Sequence, residues 1–168
     1  MAPAALSGVP IHRLADNARQ MSQRCQGVDV GENPGLALGQ WLATQINANR
    51  DCLQIDVDES FQSLAAWLEQ LIAESLGKNG KGLLPLGNAM PAAPSSRLAR
   101  INLGSSSDDQ FWHQVDNVED PVPSFKIVLD EPEDIAGEFF RWSFATAVAA
   151  ALIGVNPLMS RMSRPARK

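Results

Sequence analysis

Cys52-Leu-Gln-Ile-Asp-Val57, then Asp58-Glu-Ser60, then Phe61-Gln-Ser-Leu-Ala-Ala-Trp-Leu-Glu-Gln-Leu-Ile-Ala-Glu-Ser-Leu-Gly77, is the stretch on which the architecture turns. Its first six residues alternate in the manner of a short strand, and from Phe61 onward the apolar residues repeat at helical spacing. With successive side chains about 100° apart around a helix, Leu64, Leu68, Leu71, Ile72 and Ser75 fall on one side, while Trp67, Gln70 and Glu74 share an adjoining flank. Ser60 is placed to cap this helix, its hydroxyl accepting a first-turn amide, and Gly77 ends it. Gln70 and Glu74 are i, i+4 neighbours, so an amide and a carboxylate can reach one ligand.

The same two periods recur on either side. Upstream, a helix runs from His12 to about Cys25 with Ile11, Leu14, Ala18 and Met21 as its core stripe, and Gly27 and Gly31 interrupt it. A second helix starts near Pro34, where proline suits a first turn. It continues through Leu36, Leu38, Trp41, Leu42 and Ile46 to an end at Asn49-Arg50-Asp51. Downstream, residues 78 to about 96 are rich in Gly, Pro, Asn and Ala, a loop composition. Arg97 to Leu103 reads as a strand, Ser107 to about Val118 as a helix and Phe125 to Leu129 as a strand. The last helix, Asp134 to Ile153, carries apolar residues in nearly every direction and is expected to be enclosed by protein. Alternating helix and strand predicts an α/β layered domain with a largely parallel sheet.

The 168 residues suffice for one domain with a sizeable core. With 45% hydrophobic and 20% charged residues the composition is that of an ordinary globular chain. The net charge of −5 argues against nucleic acid or an anionic membrane as a partner. Cys25 and Cys52 form no disulfide framework or metal pattern and are expected to be reduced thiols in the cytosol. The N-terminus lacks the features of a secretory signal. The longest apolar block, Phe144 to Val155, falls short of the ~20 residues that span a bilayer. A cytoplasmic location is the resulting expectation.

The run from Glu69 to Pro85, EQLIAESLGKNGKGLLP, resembles the active-site helix and following loop of glucose-6-phosphate isomerases, most closely the isomerase half of bifunctional transaldolase/glucose-6-phosphate isomerases. Similar segments flank it in the family's order: PAALSG (Pro3 to Gly8), ENPGLALG (Glu32 to Gly39) and GEFFRWSFATAVAAALIGVNPL (Gly137 to Leu158). The resemblance implies a sugar-isomerase (SIS) fold, a Rossmann-like αβα sandwich with a mostly parallel sheet, incomplete relative to the two-domain family. It implies interconversion of glucose 6-phosphate and fructose 6-phosphate, a glycolytic and gluconeogenic reaction, with no metal and no organic cofactor. Glu74 would be the base that moves a proton between adjacent sugar carbons through a cis-enediol, and Gln70 would contact the substrate.

Each of these residues also has a plain structural role to weigh. Glu74 could be a solvated acid near a helix end, although the macrodipole opposes an acid there, and Gln70 could be a surface amide. Lys78 matches the lysine of the family's E-S-x-G-K, but a lysine just past a helix also stabilises the exposed carbonyls. His12 and His113 are isolated from other metal-binding residues and are expected at the surface. Trp41, Trp67, Trp112 and Trp142 are expected to pack rather than to stack on a ligand. For phosphate, which needs fixed donors, the nearest candidate is Gly104-Ser-Ser-Ser107 before a helix.

Two departures from the family stand out. Ser143 replaces the family's usual glutamate in RWSFATA, removing a carboxylate near the site. After Leu158 the chain reads MSRMSRPARK where family members continue with D-[QE]-P-x-V. Back-translated as ATG AGC CGG ATG TCG AGG CCG GCC AGG AAG and read one base earlier, that tail becomes DEPDVEAGQE, which points to a frameshift near Leu158. The chain is therefore divided into residues 1–158, a partial isomerase region lacking the family's upstream glycine-glycine-arginine segment, and residues 159–168, an aberrant basic tail. Such a fragment is expected to be weak or inactive alone, and to self-associate or need a partner chain because a cut sandwich exposes apolar faces. A non-catalytic SIS-type module that binds a sugar phosphate or a subunit, or a fragment without function, are the other outcomes.

Overall fold

The computed structural model describes residues 10–77, 82–86, 93–116 and 122–156. Among these residues the elements are, in order, α1 (Ile11–Arg24), α2 (Pro34–Asn47), β1 (Cys52–Val57), α3 (Gln62–Leu76), β2 (Leu84–Leu86), β3 (Leu98–Ser105), α4 (Asp109–Asp116), β4 (Ser124–Leu129) and α5 (Ile135–Ile153). Short 3-10 turns at Glu59–Phe61, Ser95–Arg97 and Pro132–Asp134 lead into α3, β3 and α5. The PAALSG segment, Lys78, Val118 and the tail lie outside the described residues.

The four described strands are all parallel, in the order β2-β1-β3-β4. This is the expected α/β architecture, a parallel sheet flanked by helices as in a Rossmann-like, SIS-type sandwich. Because strand side chains alternate, each strand sends one set of residues to each face. Leu53 and Ile55 of β1, Ala99, Ile101 and Leu103 of β3, and Ile127 and Leu129 of β4 join α2, α3 and α5 in the main core. Cys52, Leu86 and Leu98 form a small second cluster on the other face. In register, that second face carries Gln54 beside Arg100 and Ser124, then Asp56 beside Asn102 and Lys126, then Gly104 beside Val128.

α5 is the hub of the helical layer and packs against α1, α2 and α3. Trp142, fully buried, sits at its middle. Gly35 and Gly39, one turn apart on α2, let α5 approach closely: a Cβ at Gly39 would stand 2.7 Å from the Ala145 carbonyl oxygen and from Val148 Cβ, and one at Gly35 would stand 2.7 Å from the Phe144 ring. Contrary to the enclosure that its composition predicts, α5 is open along one side. Phe139, Ser143, Ala147, Ala151 and Leu152 face outward, because among the described residues only three helices and the sheet surround it. At its end Gly154 adopts φ 73° and Val155 N–H returns to the Ala150 carbonyl at 2.9 Å, the left-handed stop that favours glycine.

Ser60 does not cap α3. Asp58 acts instead, one turn earlier: its carboxylate accepts Ser60 N–H at 2.8 Å, starting the Glu59–Phe61 turn, and also accepts the Ser105 N–H at the end of β3. A carboxylate is the stronger acceptor, and Asp58 is buried where it can join two turns at once. The loop expected at 78–96 also contains β2, whose three residues are too few to show an alternation. Asn33 caps α2 by accepting Leu36 N–H at 2.8 Å. Its amide donates to the Cys25 and Gly27 carbonyls, fixing the α1–α2 corner.

Candidate active site

α3 positions the flank singled out by sequence. It leaves the carboxyl end of β1 and returns across the first face, so its last turn lies toward the amino end of the sheet, beside β2. Leu64, Leu68, Ile72 and Leu76 are buried in the core. That anchors the helix about its long axis and turns Gln70 and Glu74 outward, where both are exposed. The two meet: Gln70 Nε2 donates to Glu74 Oε1 at 3.1 Å. One turn before Gln70, Trp67 packs edge-on against Phe139 of α5 at 4.7 Å between ring centroids. Ser143 lies one turn further along α5 and is also exposed, its hydroxyl donating to the Phe139 carbonyl at 2.7 Å.

The pair on α3 thus has an acceptor whose orientation is set by a neighbouring amide, on a fixed helix, facing outward. Such a carboxylate can take a proton from a carbon held against it. The tryptophans divide as expected between packing roles: Trp142 is in the core, Trp41 lies 5.6 Å from Phe125, and Trp112 donates its indole N–H to the Ser105 carbonyl. His12 and His113 are both exposed. Among the described residues no three His, Cys, Asp or Glu side chains are grouped to hold a metal ion.

The Gly104–Ser107 turn does not offer a set of amide donors. Ser105 N–H goes to Asp58, Ser106 N–H to the Leu129 carbonyl at 2.8 Å, Ser107 N–H to Ser105 Oγ at 3.3 Å and Asp108 N–H to the Ser105 carbonyl at 3.2 Å. The Asp58 carboxylate bonds to the turn, and Asp108 and Asp109 follow it directly in sequence at the start of α4, so an anion would meet their charge.

A second ionisable site escapes sequence reasoning. Glu138, in the first turn of α5, is 1% exposed, and its Oε1 lies 3.1 Å from Arg141 Nη2. Burial pushes its carboxyl up to about 7 despite the opposing pull of Arg141, and burial lowers Arg141 in turn. The pair floors a cleft of about 210 Å³ at the carboxyl end of β4, beside Asn17, Arg24 and Asp134. Asp134 also accepts Asn17 Nδ2–H at 2.9 Å and the Asp130 and Glu131 amides at 3.0 Å, tying α1 to the start of α5. The available signal is an acid and a base three residues apart inside a helix whose pattern already implies enclosure.

No protein-family model matches the chain. Against individual proteins, 87 residues are 37% identical to the glucose-6-phosphate isomerase of Methanocaldococcus jannaschii, covering 51% of this chain and 22% of that one. A stretch of 78 residues is 38% identical to the glucose-6-phosphate isomerase of Citrifermentans bemidjiense, covering 45% and 15%. A stretch of 87 residues is 32% identical to the probable glucose-6-phosphate isomerase of Methanococcus maripaludis, covering 51% and 20%. The matched segment therefore spans between 15% and 22% of these relatives' lengths, and the similarity to glucose-6-phosphate isomerases extends over about half of this chain.

Proposed function

We propose that this chain carries the general-base helix of an aldose-ketose isomerase acting on glucose 6-phosphate and fructose 6-phosphate in the cytoplasm, and that it is weak or inactive alone. Glu74 is the base. It removes the proton from one of the two adjacent sugar carbons, giving a cis-enediol, and returns a proton to the other. Gln70 contacts the substrate and orients the carboxylate. The observation that carries this is the 3.1 Å contact between Gln70 and Glu74 on an outward flank of a helix locked by its core face, in a chain similar to named isomerases. Residues 1–158 form the isomerase region and 159–168 an unrelated tail.

Weak activity is the consequence of the surroundings of the base. Glu74 and Gln70 are exposed, Ser143 supplies no carboxylate, and the serine turn after β3 uses its amides internally. With no fixed phosphate site beside it among the described residues, the base lacks the orientation and electrostatic preorganisation that supply much of the barrier reduction. Exposed Leu84 and Val128 on the second sheet face favour association with another copy or a partner chain.

Conversion of fructose 6-phosphate by purified protein, followed with a coupled dehydrogenase, tests the assignment against Glu74→Gln. Slow turnover that disappears in the variant is the expected result. Turnover unchanged in the variant removes Glu74 as the base. If neither protein turns over, calorimetric titration with fructose 6-phosphate decides for or against a non-catalytic sugar-phosphate module.

A further inference from the structure

The second face of the sheet holds two opposite charges that do not close on each other. Parallel sheets are ordinarily covered by helices on both faces and apolar on both. Here α4 is the helix over that face among the described residues, and strand positions Gln54, Asp56, Arg100 and Asn102 are polar. Asp56 on β1 and Arg100 on β3 are diagonal neighbours, since Gln54 pairs with Arg100 and Asp56 with Asn102. Both are partly buried and line a cleft of about 380 Å³, walled by Phe111 and Val115 of α4 with the exposed Gln114 beside them. No direct ion pair joins them. Asp56 accepts from Gln54 Nε2 at 3.3 Å, and burial raises its carboxyl in spite of Arg100 and Gln54. Arg100 Nε is buried without an acceptor, and Asn102, 1% exposed and in register with Asp56, buries Oδ1 without a donor. The strand side of the cleft thus wants donors around Asp56 and an acceptor at Arg100, and the helix side is apolar.

We propose that this cleft binds a free α-amino acid with an apolar side chain, its ammonium against Asp56 and its carboxylate against Arg100. The two charges of such a ligand stand on either side of a single carbon, so they match opposite charges on adjacent strands. An ammonium has three donors and no acceptor, and it meets Asp56 on the side where the Asn102 oxygen also lacks a donor. A carboxylate takes two parallel N–H bonds from a guanidinium edge, and the edge that includes Nε is the one left unanswered here. Phe111 and Val115 receive the side chain and shield the charged pairs from water. Other small ligands match less of the cleft. A phosphate or a simple carboxylate meets the charge of Asp56, and a simple amine meets that of Arg100. Sugar hydroxyls supply donors and acceptors but leave both partly buried charges without a counter-ion, and charge-assisted bonds are roughly twice as strong as neutral ones.

The cleft lies on the opposite face of the sheet from α3, so the site is independent of the isomerase assignment. Isothermal titration calorimetry of the full chain with L-leucine tests it, with circular dichroism to establish that each variant is folded. Saturable binding at one site per chain is expected. Isocaproate, which is leucine without the ammonium, isopentylamine, which lacks the carboxylate, and glucose should each bind about tenfold or more weaker, because a bond to a charged group is worth at least that factor. Asp56→Asn and Arg100→Met should each weaken leucine to a similar degree. Val115→Trp, made on α4 and away from the strands, fills the cleft and should abolish binding, and it serves where the strand variants do not fold. No binding of leucine by the wild type overturns the proposal. Leucine binding that Val115→Trp leaves unchanged overturns this cleft as the site. Isocaproate or isopentylamine bound as tightly as leucine overturns recognition by paired charges, and glucose bound as tightly overturns the amino acid in favour of a polyol.

Discussion

Glu74 and Glu138 sit on neighbouring helices over the same face of the sheet, yet their surroundings are opposite. Glu74, in the last turn of α3, faces outward with the Gln70 amide as its neighbour. Glu138, in the first turn of α5, is buried beside Arg141, and burial holds its carboxyl up near 7. Burial and an elevated pKa therefore belong to the carboxylate enclosed in the fold and not to the one proposed as the base. Glu138 has what a perturbed acid needs, but its charge is engaged by Arg141 inside the helical layer. Glu74 has access to a substrate and a partner that orients it. Glu138 should accordingly govern stability and its pH dependence, and Glu74 turnover.

Glu74→Gln is expected to separate the two carboxylates most widely. It should lower whatever isomerase turnover the chain has by roughly 10²- to 10⁴-fold, while shifting unfolding free energy by no more than about 0.5 kcal/mol. Coupled-assay rates and urea unfolding on the same preparation distinguish the two effects. Arg141→Met should do the reverse. It leaves a buried carboxylate without its counter-ion, a loss of about 3 kcal/mol at pH 8. The loss should be smaller at pH 5, where Glu138 is mostly protonated, and the urea midpoint at the two pH values reads it.

Glu138→Gln probes the buried member of the pair through linkage. Because the folded pKa of Glu138, about 7, lies above its ordinary value of 4.5, the folded chain binds more protons than the unfolded one between those values. Stability should then fall as pH rises through that window, by up to about 1.4 kcal/mol per pH unit. Removing the carboxylate should flatten this slope, visible in unfolding midpoints measured from pH 4 to 8. The smallest effect is expected from Gln70→Ala, on the exposed side of the contrast. Stability should move by less than about 0.5 kcal/mol, and KM for fructose 6-phosphate should rise more than kcat falls if Gln70 acts in binding.

Much of this arrangement is legible in the chain. The change of period at Asp58 locates β1 and α3, and the i, i+4 spacing brings Gln70 and Glu74 together as observed. The features that are not legible are set by contacts distant in sequence. Ser60 looks like the cap because hydroxyl capping is local, whereas Asp58 wins by also serving Ser105 from 47 residues away. β2 is hidden because three residues next to β1 become a strand only through that neighbour. The corner built by Asn33, and the polar strip of Asp56 and Arg100, depend on which segments lie side by side. Glu138 is masked by its surroundings: in a helix apolar in nearly every direction, one acid does not reveal whether it faces solvent or core.

The Asp58 carboxylate also bears on the capture of anions. α3 leaves β1 over one face and α4 leaves β3 over the other, so the carboxyl ends of these adjacent strands diverge, and open parallel sheets receive guest molecules at such a fork. Here the fork is already occupied by the chain's own anion, bonded to the amides of Ser60 and Ser105. A free anion competing for those amides faces a rival that is tethered and never diffuses away, with the high effective concentration of an intramolecular ligand. The place where this class of sheet most readily recruits a negatively charged guest is, in this chain, a self-filled socket.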